Sequence, residues 1–253
     1  MAYKHGVYTS EVPTSVVPAV NTTAGLPVVF GTAPVHLASE RAQTNKPILC
    51  YSYAEAVQQL GYSKDWAKYT LCEVMYSQFA LYNRGPVVFV NVLDPKTHKK
   101  STSSKNVTVT NKVAKVDAPV LLDTLQIKAS TAVSALIAGS DYEAAYDDDG
   151  VLVITLLDDG TATAASNLTL TYDEIDAAAV DAYDIIGGIN VSDGSVKGLE
   201  CLNKVFPITG LVPGIVLAPG WSETPTVAAV MKAKAGNINS HFKAITLNDV
   251  PTD

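Results

Sequence analysis

The stretch Leu211-Val-Pro-Gly-Ile-Val-Leu-Ala-Pro-Gly-Trp-Ser222 decides the fold class of this chain of 253 residues. Residues 215–218 form a short apolar run bounded by Gly and Pro, which is typical of a strand buried on both faces. Ser222 or Thr224 can cap the helix that follows, and Pro225 suits the first turn of that helix.

The residues after this stretch complete a βαβ unit. Apolar side chains recur at spacings of three and four between residues 227 and 242, and only Lys234 interrupts the stripe. This pattern predicts a helix, because the stem of the lysine can lie along the apolar face. Residues 244–247 are predicted to form a second strand. A strand, a crossover helix and another strand predict parallel pairing.

The first part of the chain repeats this alternation. Three apolar runs predict buried strands: residues 28–32, 47–51 and 86–92. Ser52 and Glu55 match a capping box, which predicts a helix that ends at Gly61. An apolar stripe predicts a longer helix over residues 65–83. The sequence therefore predicts an α/β fold with a mixed, mostly parallel sheet covered by helices.

Residues 95–193 differ in composition from the rest of the chain. They hold 15 acidic and 7 basic residues, a net charge of −8, whereas the remainder holds 10 acidic and 11 basic residues. Four segments with a period of two predict strands: residues 107–110, 125–128, 151–156 and 168–172. Such a break in composition predicts an inserted β-rich domain, either a sandwich or a barrel.

Turns and short helices complete the predicted insert. Asp149-Gly150 and Asp159-Gly160 are hairpin signals. Residues 133–138 are predicted to form a short helix, and a helix over residues 195–206 is predicted to rejoin the core. The predicted domains are an extended N-terminal segment (1–25), a discontinuous α/β core (26–94 with 194–253) and the β-rich insert (95–193).

The sequence offers little catalytic chemistry. The four histidines lie far apart and match no metal or catalytic spacing, and no nucleotide-binding glycine motif occurs. Three aspartates at 147–149 could hold Ca²⁺, but without EF-hand spacing a solvated hairpin tip is the favoured interpretation. We therefore expect no catalytic residue, cofactor or metal.

Composition also excludes some partners. The net charge of −7 argues against nucleic-acid binding, which usually needs a basic face. No apolar run approaches the length of a membrane helix, and no apolar signal region opens the chain. The three cysteines are predicted to be buried, reduced hydrophobes, which fits folding in a cytoplasm.

Several segments, taken in order, resemble contractile-tail sheath proteins of bacteriophages and phage-tail-like bacteriocins. The 212–222 stretch and the later Ala-Lys-Ala-Gly-Asn-Ile-Asn at 233–239 resemble the family's core. Residues 27–34 resemble its first core strand. Gly6-Val7-Tyr8, with Glu11-Val12-Pro13 after it, resembles its N-terminal arm. A disordered terminus is the alternative for residues 1–25, and the resemblance favours the arm.

The resemblance implies a structural subunit without enzymatic activity. Many copies would polymerise helically around an inner tube and contract, driving the tube through a cell envelope. The inter-subunit arm would add a strand to a neighbour's sheet, through these residues: Gly6, Val7, Tyr8, Thr9, Glu11, Val12 and Pro13. The implied partners are further copies of the chain, a tail tube protein, and baseplate and tail terminator proteins. The implied location is the bacterial host cytoplasm during assembly, then the virion or tail-like particle.

Two other functional classes stay open at this point. One is an enzyme on a doubly wound sheet, with active-site loops at strand ends such as 218–222. The other is a secreted β-rich binding module carried on an α/β scaffold. The resemblance does not separate a phage from a bacteriocin or another contractile injection system.

The family normally continues past the position of Asp253, so the resemblance implies an engineered or proteolytic fragment that lacks half of the arm exchange. We therefore expect the 253-residue chain not to polymerise by itself. Sedimentation velocity checks this expectation: a slowly sedimenting species is expected, and long filaments would contradict it.

Overall fold

A computed structural model describes residues 25–129 and 134–250 of the chain. Its largest sheet has five strands in the order β13-β12-β1-β3-β2. The strands are β1 (Pro27–Gly31), β2 (Ile48–Cys50), β3 (Val87–Asn91), β12 (Ile215–Leu217) and β13 (Ile245–Leu247). β1 pairs in parallel with both β3 and β12, and β12 pairs in parallel with β13. β2 runs antiparallel to β3, so the predicted mixed α/β sheet is confirmed.

The centre of this sheet is buried on both faces. Every residue of β3 is buried, as are the last four residues of β1. Continuous apolar runs of this kind suit strands that have helices on both sides, since no residue faces water. The helices are α1 (Tyr53–Leu60), α2 (Leu71–Met75), α3 (Ala182–Ile186), α4 (Leu202–Thr209) and α5 (Pro225–Ala235). None of the helices in the described ranges is long and apolar enough to cross a membrane.

Two local predictions around helices are confirmed. The backbone N–H of Glu55 donates to Ser52 Oγ at 3.3 Å, and α1 ends at Gly61, whose φ is +73°. A Cβ at Gly61 would lie 2.3 Å from the carbonyl oxygen of Pro34, so glycine is required there. At the other end of the chain, β12, α5 and β13 form the predicted parallel βαβ unit, with Pro225 in the first turn of α5.

The helix predicted over residues 65–83 is wrong in its first third. Asp65 closes a turn, because its carboxylate accepts a hydrogen bond from the backbone N–H of Lys68 and its carbonyl accepts one from Tyr69. Thr70 is then tied to Thr32 in the neighbouring strand end, so α2 begins only at Leu71. From Tyr76 to Leu81 the helix widens to π geometry.

The helix predicted over residues 195–206 is also shifted. β11 (Val196–Lys197) and a 3-10 turn (Gly198–Cys201) occupy its first half, and α4 continues to Thr209. Gly198 has φ +55° and lies against the backbone of Ile185, which excludes a regular helix there. The apolar stripe after residue 227 likewise overruns α5. Ile238 and Phe242 instead close a small loop by exchanging backbone hydrogen bonds.

Two three-stranded antiparallel sheets lie between β3 and α3, and we call them together the β-rich unit. One has the order β4-β9-β6 and the other β5-β8-β7. The strands are β4 (Lys99–Thr108), β5 (Val113–Val116), β6 (Gln126–Ala129), β7 (Tyr142–Tyr146), β8 (Leu152–Leu156) and β9 (Asn167–Ile175). Their inward side chains share one apolar cluster, separate from the cluster around the five-stranded sheet. The sheets do not close into a barrel within the described residues.

Two predictions within the β-rich unit are wrong. Asp149-Gly150 does turn the β7–β8 hairpin, but Asp159-Gly160 does not form one, because β8 pairs with β5 and β7 and not with β9. Asp141 instead accepts hydrogen bonds from Thr161 and Ile137 and fixes the crossing between the sheets. No helix forms over residues 134–138. A small antiparallel pair, β10 (Gly188–Ile189) with β11, follows α3.

The tight packing at Gly31 generates a prediction about stability. A Cβ there would lie 2.3 Å from Thr70 Oγ1, a group held between strand and helix. We expect Gly31→Ala to lower the free energy of unfolding by about 1–3 kcal/mol, because the neighbours must shift to admit the methyl group. Urea unfolding followed by circular dichroism measures this change.

Gly188→Ala is the matched control, since no atom lies within 4 Å of the position its Cβ would take. Its free energy of unfolding is expected to stay within about 0.5 kcal/mol of the unsubstituted protein. Equal stabilities for the two variants would contradict the packing argument.

Candidate assembly edge at strand β13

Strand β13 lies at the edge of the five-stranded sheet. Its inner side pairs with β12, and the backbone N–H of Ile245 donates to the carbonyl oxygen of Gly214 at 3.0 Å. In a parallel strand the N–H and C=O of one residue point to the same side, and successive residues alternate. Thr246 therefore presents both backbone groups outward, where no strand of the described residues pairs with them.

One face of the same edge is apolar and uncovered. Ile245 and Leu247 share a face of β13 and are 60% and 52% exposed. Their partners across the strand pair are Ile215 and Leu217, which are only partly covered. Side chains therefore become more exposed from the buried centre towards β13. A free backbone edge beside an apolar face is a template for another strand.

A polar cluster holds β13 against the turn that follows β12. Asp249 Oδ2 accepts hydrogen bonds from the backbone N–H of Gly220 at 2.8 Å and from Ser222 Oγ at 2.9 Å. Ser222 Oγ in turn accepts from the backbone N–H of Asp249 at 2.8 Å. Ser222 is buried, so its hydroxyl needs these hydrogen-bond partners. The cluster fixes the direction in which the chain leaves the edge strand.

Other polar groups at this end of the sheet are also bonded to each other. Thr32 and Thr70 exchange hydrogen bonds between backbone N–H and hydroxyl groups at 3.3 and 3.2 Å. Buried Asn91 accepts from the backbone N–H groups of Ala33 and Leu93 and donates to the carbonyl oxygen of Leu93. The carboxyl ends of the strands, where doubly wound enzymes bind ligands, are therefore occupied by internal hydrogen bonds.

The remaining candidates for chemistry do not come together. His36 is buried and His98 lies beside Asp184, whereas His241 is exposed and contacts the carbonyl oxygen of Asn239. His5 lies outside the described residues. Within residues 25–129 and 134–250, no three His, Cys, Asp or Glu side chains are placed to hold a metal ion. Asp147 closes the hairpin tip by accepting from the backbone N–H of Val151.

The cysteines are buried free thiols, as the sequence predicts. Burial raises the pKa of Cys50 and of Cys72 to about 12, and that of Cys201 to about 11. Each thiol therefore stays protonated and unreactive at neutral pH, because the thiolate is the nucleophile.

The predicted inter-subunit arm, Gly6 to Thr9 with Glu11 to Pro13, lies outside the described residues. Sequence reasoning did not identify the Asp249 cluster, although Ser222 and Asp249 each follow a predicted strand. Residues that follow two adjacent parallel strands lie at the same end of the sheet. The parallel pairing of β12 with β13 therefore predicts that Ser222 and Asp249 lie close together.

Fold and edge together define a mixed α/β protein whose strand β13 pairs on one side with β12, has no strand of the described residues on its other side, and carries exposed apolar side chains. No family model matches the chain. Over 255 residues it is 29% identical to the tail sheath protein of Burkholderia phage BcepMu. The alignment covers 98% of this chain, and the chain spans about half of that relative, 49%. The resemblance to a tail sheath protein is confirmed by this relative.

The Asp249 cluster generates a second prediction about stability. Asp249→Ala removes the acceptor of both the Ser222 hydroxyl and the Gly220 N–H. We expect the free energy of unfolding to fall by about 1–3 kcal/mol, because the buried Ser222 hydroxyl loses the carboxylate that accepts its hydrogen bond. Asp249→Asn keeps one acceptor oxygen and should lose less. Chemical denaturation of both variants measures the difference.

Glu223→Ala is the control, because this carboxylate is exposed and adjacent in sequence to Ser222. Its effect is expected to stay within about 0.5 kcal/mol. If Asp249→Ala were no more destabilising than Glu223→Ala, the cluster would not hold the edge strand.

Proposed function

We propose that the chain is the subunit of a contractile tail sheath, which polymerises helically around an inner tube. The observation that carries this proposal is the outer edge of β13, which pairs with no strand of residues 25–129 and 134–250, together with its exposed apolar face. Similarity to a phage tail sheath protein over nearly the whole chain supports the same function. Contraction of the polymer would then drive the tube through a cell envelope.

Subunits join, in this proposal, by strand addition at β13. The inter-subunit arm, residues 6–9 with 11–13, supplies the added strand from a neighbouring copy. The outward backbone groups of Thr246 would complete hydrogen bonds with it, and the apolar face of Ile245 and Leu247 would be covered. Main-chain hydrogen bonds of this kind give affinity without demanding a particular side chain.

The difference in net charge between the insert and the rest of the chain supports different roles for these parts of one subunit. Residues 26–94 and 194–253 would form the assembling core, and residues 95–193 would form a solvent-facing domain. The net charge of −8 in that insert would keep crowded subunits soluble. Residues 1–25 would act as the arm. The two apolar clusters support this division, although Ile175, Val180 and Ile185 pack with the core.

Energy for shortening would be stored in subunit packing, so no nucleotide or other cofactor is required. Contraction would be mainly a rigid-body movement of subunits about the arms. The partners would be further copies of the chain, the tail tube protein, and the baseplate and terminator proteins at the two ends. Assembly would take place in the bacterial host cytoplasm and end in the virion or a tail-like particle.

Negative-stain electron microscopy of the full natural reading frame that contains this chain, expressed alone, tests the proposal. We expect hollow striated tubes, and we expect them to be lost when residues 1–20 are deleted. Thr246→Pro should also abolish the tubes, because proline removes the outward N–H while the bond from Ile245 to Gly214 stays intact.

Thr246→Val is the matched control, since it keeps the outward N–H and the β-branched shape and should still form tubes. Circular dichroism establishes that each variant is folded. Tubes that survive both the deletion and Thr246→Pro would contradict strand addition. A monodisperse monomer of the full natural protein would contradict the sheath function and favour an enzyme or a binding module.

A further inference from the structure

The β-rich unit is joined to the core by two strands that lie side by side. The chain leaves the core into β4 and returns from β9, and Lys99 pairs with Ile175 at this junction. His98 braces the junction: its Nδ1 accepts from the backbone N–H of Asp94 at 3.0 Å, and its carbonyl oxygen accepts from Asp176. We call this junction the stem. Because both crossings are adjacent, the stem alone leaves the unit free to rock.

A second contact lies away from the stem. The ring of His36, from the loop after β1, sits between Tyr69 of the core and Tyr146 of β7, with centroid distances of 6.0 and 5.4 Å. Tyr146 is itself held in the β-rich unit, since its hydroxyl donates to the carbonyl oxygen of Val120 at 2.7 Å. Leu37 lies beside Gly150 in the β7–β8 turn. We call the His36–Tyr146 contact the latch.

The contact between His36 and Tyr146 is weakened by a buried nitrogen atom of His36 that has no hydrogen-bond partner among the described residues. His36 is 8% exposed, and its Nδ1 has no hydrogen-bond partner among the described residues. Burial, with the charge of Arg41, lowers the pKa of His36 to about 3, so the ring is neutral at physiological pH. A neutral ring packs against tyrosines, but its unpaired buried nitrogen offsets part of that gain. An apolar side chain of similar size would hold the contact more firmly.

A cleft of about 1040 Å³ is lined by residues of both the latch and the stem, so space is present between the core and the β-rich unit. Lys64 and Lys68 of the core and the aspartates at 147–149 of the β-rich unit are among the residues that line it. Lys64 makes no ion pair with the described residues, and Lys68 pairs only with Asp65 on its own side. The cleft is therefore lined by charges of both signs, contributed by the core and by the β-rich unit.

We propose that His36 and Tyr146 form a releasable latch, and that the β-rich unit rocks on the β4–β9 stem when the latch opens. The latch would let one subunit present two relative positions of its core and its β-rich unit. Both the latch and the stem lie within one chain, so this movement does not require the proposed sheath function.

Distance measurement between two spin labels tests the latch on the 253-residue chain. Gln58→Cys and Thr155→Cys place labels on exposed sites of the core and the β-rich unit, and the three native cysteines are buried. We expect His36→Ala to broaden the distance distribution and to add a second population. His36→Leu should narrow the distribution relative to the unsubstituted protein, because it removes the unpaired nitrogen and keeps the packing.

His241→Ala is the control, because it removes the same kind of ring from an exposed position that takes no part in the latch. Its distribution should match that of the unsubstituted protein. Circular dichroism confirms folding of each labelled variant. Identical distributions for His36→Ala, His36→Leu and the unsubstituted protein would overturn the proposal, since the contact would then not govern the position of the unit.

Discussion

The pairing of β1 with β3 is the constraint on which the rest of the structure depends. Both strands are buried on both faces, so each apolar side chain needs a helix or a loop above it. Each further strand of the sheet must therefore come with a helix or a loop that covers its apolar side chains. β12 does so through α5 and β13, whereas β2 ends the sheet on the other side with three residues. At β13 this covering is incomplete, and the side chains of Ile245 and Leu247 are exposed.

Burying the sheet centre also explains the polar side chains at the strand ends. Thr32, Asn91 and Ser222 are buried where the strands finish, and the backbone groups they meet have no ladder partner. Each side chain replaces a missing backbone partner, as Asn91 does for Ala33 and Leu93. The same end of an enzyme sheet would hold polar groups that face a ligand. In this chain these polar side chains form hydrogen bonds with backbone groups of the protein itself.

Segments with strong local signals could be predicted from the sequence. The capping box at Ser52 and the glycine at 61 rest on contacts within a few residues, and each element of the βαβ unit after Ile215 has its own periodic pattern. The wrong predictions concern segments whose structure depends on contacts between residues that are far apart in the sequence. α2 starts late because Thr70 bonds to Thr32, 38 residues away, and Gly198 is held against Ile185 by tertiary packing. β5 and β7 were missed because their alternation is short.

The candidate edge was predictable only in part, for the same reason. Sequence patterns placed a strand at residues 244–247, but nothing local indicated that it would be last in the sheet. The exposure of Ile245 and Leu247 is a property of strand order. Fully burying such a side chain contributes about 1.5–3 kcal/mol, which is too little to hold two subunits firmly once ordering costs are included. In the helical polymer that we propose, each subunit would repeat the contact with its neighbours, so a modest edge would support a long assembly whose subunits would still move relative to one another.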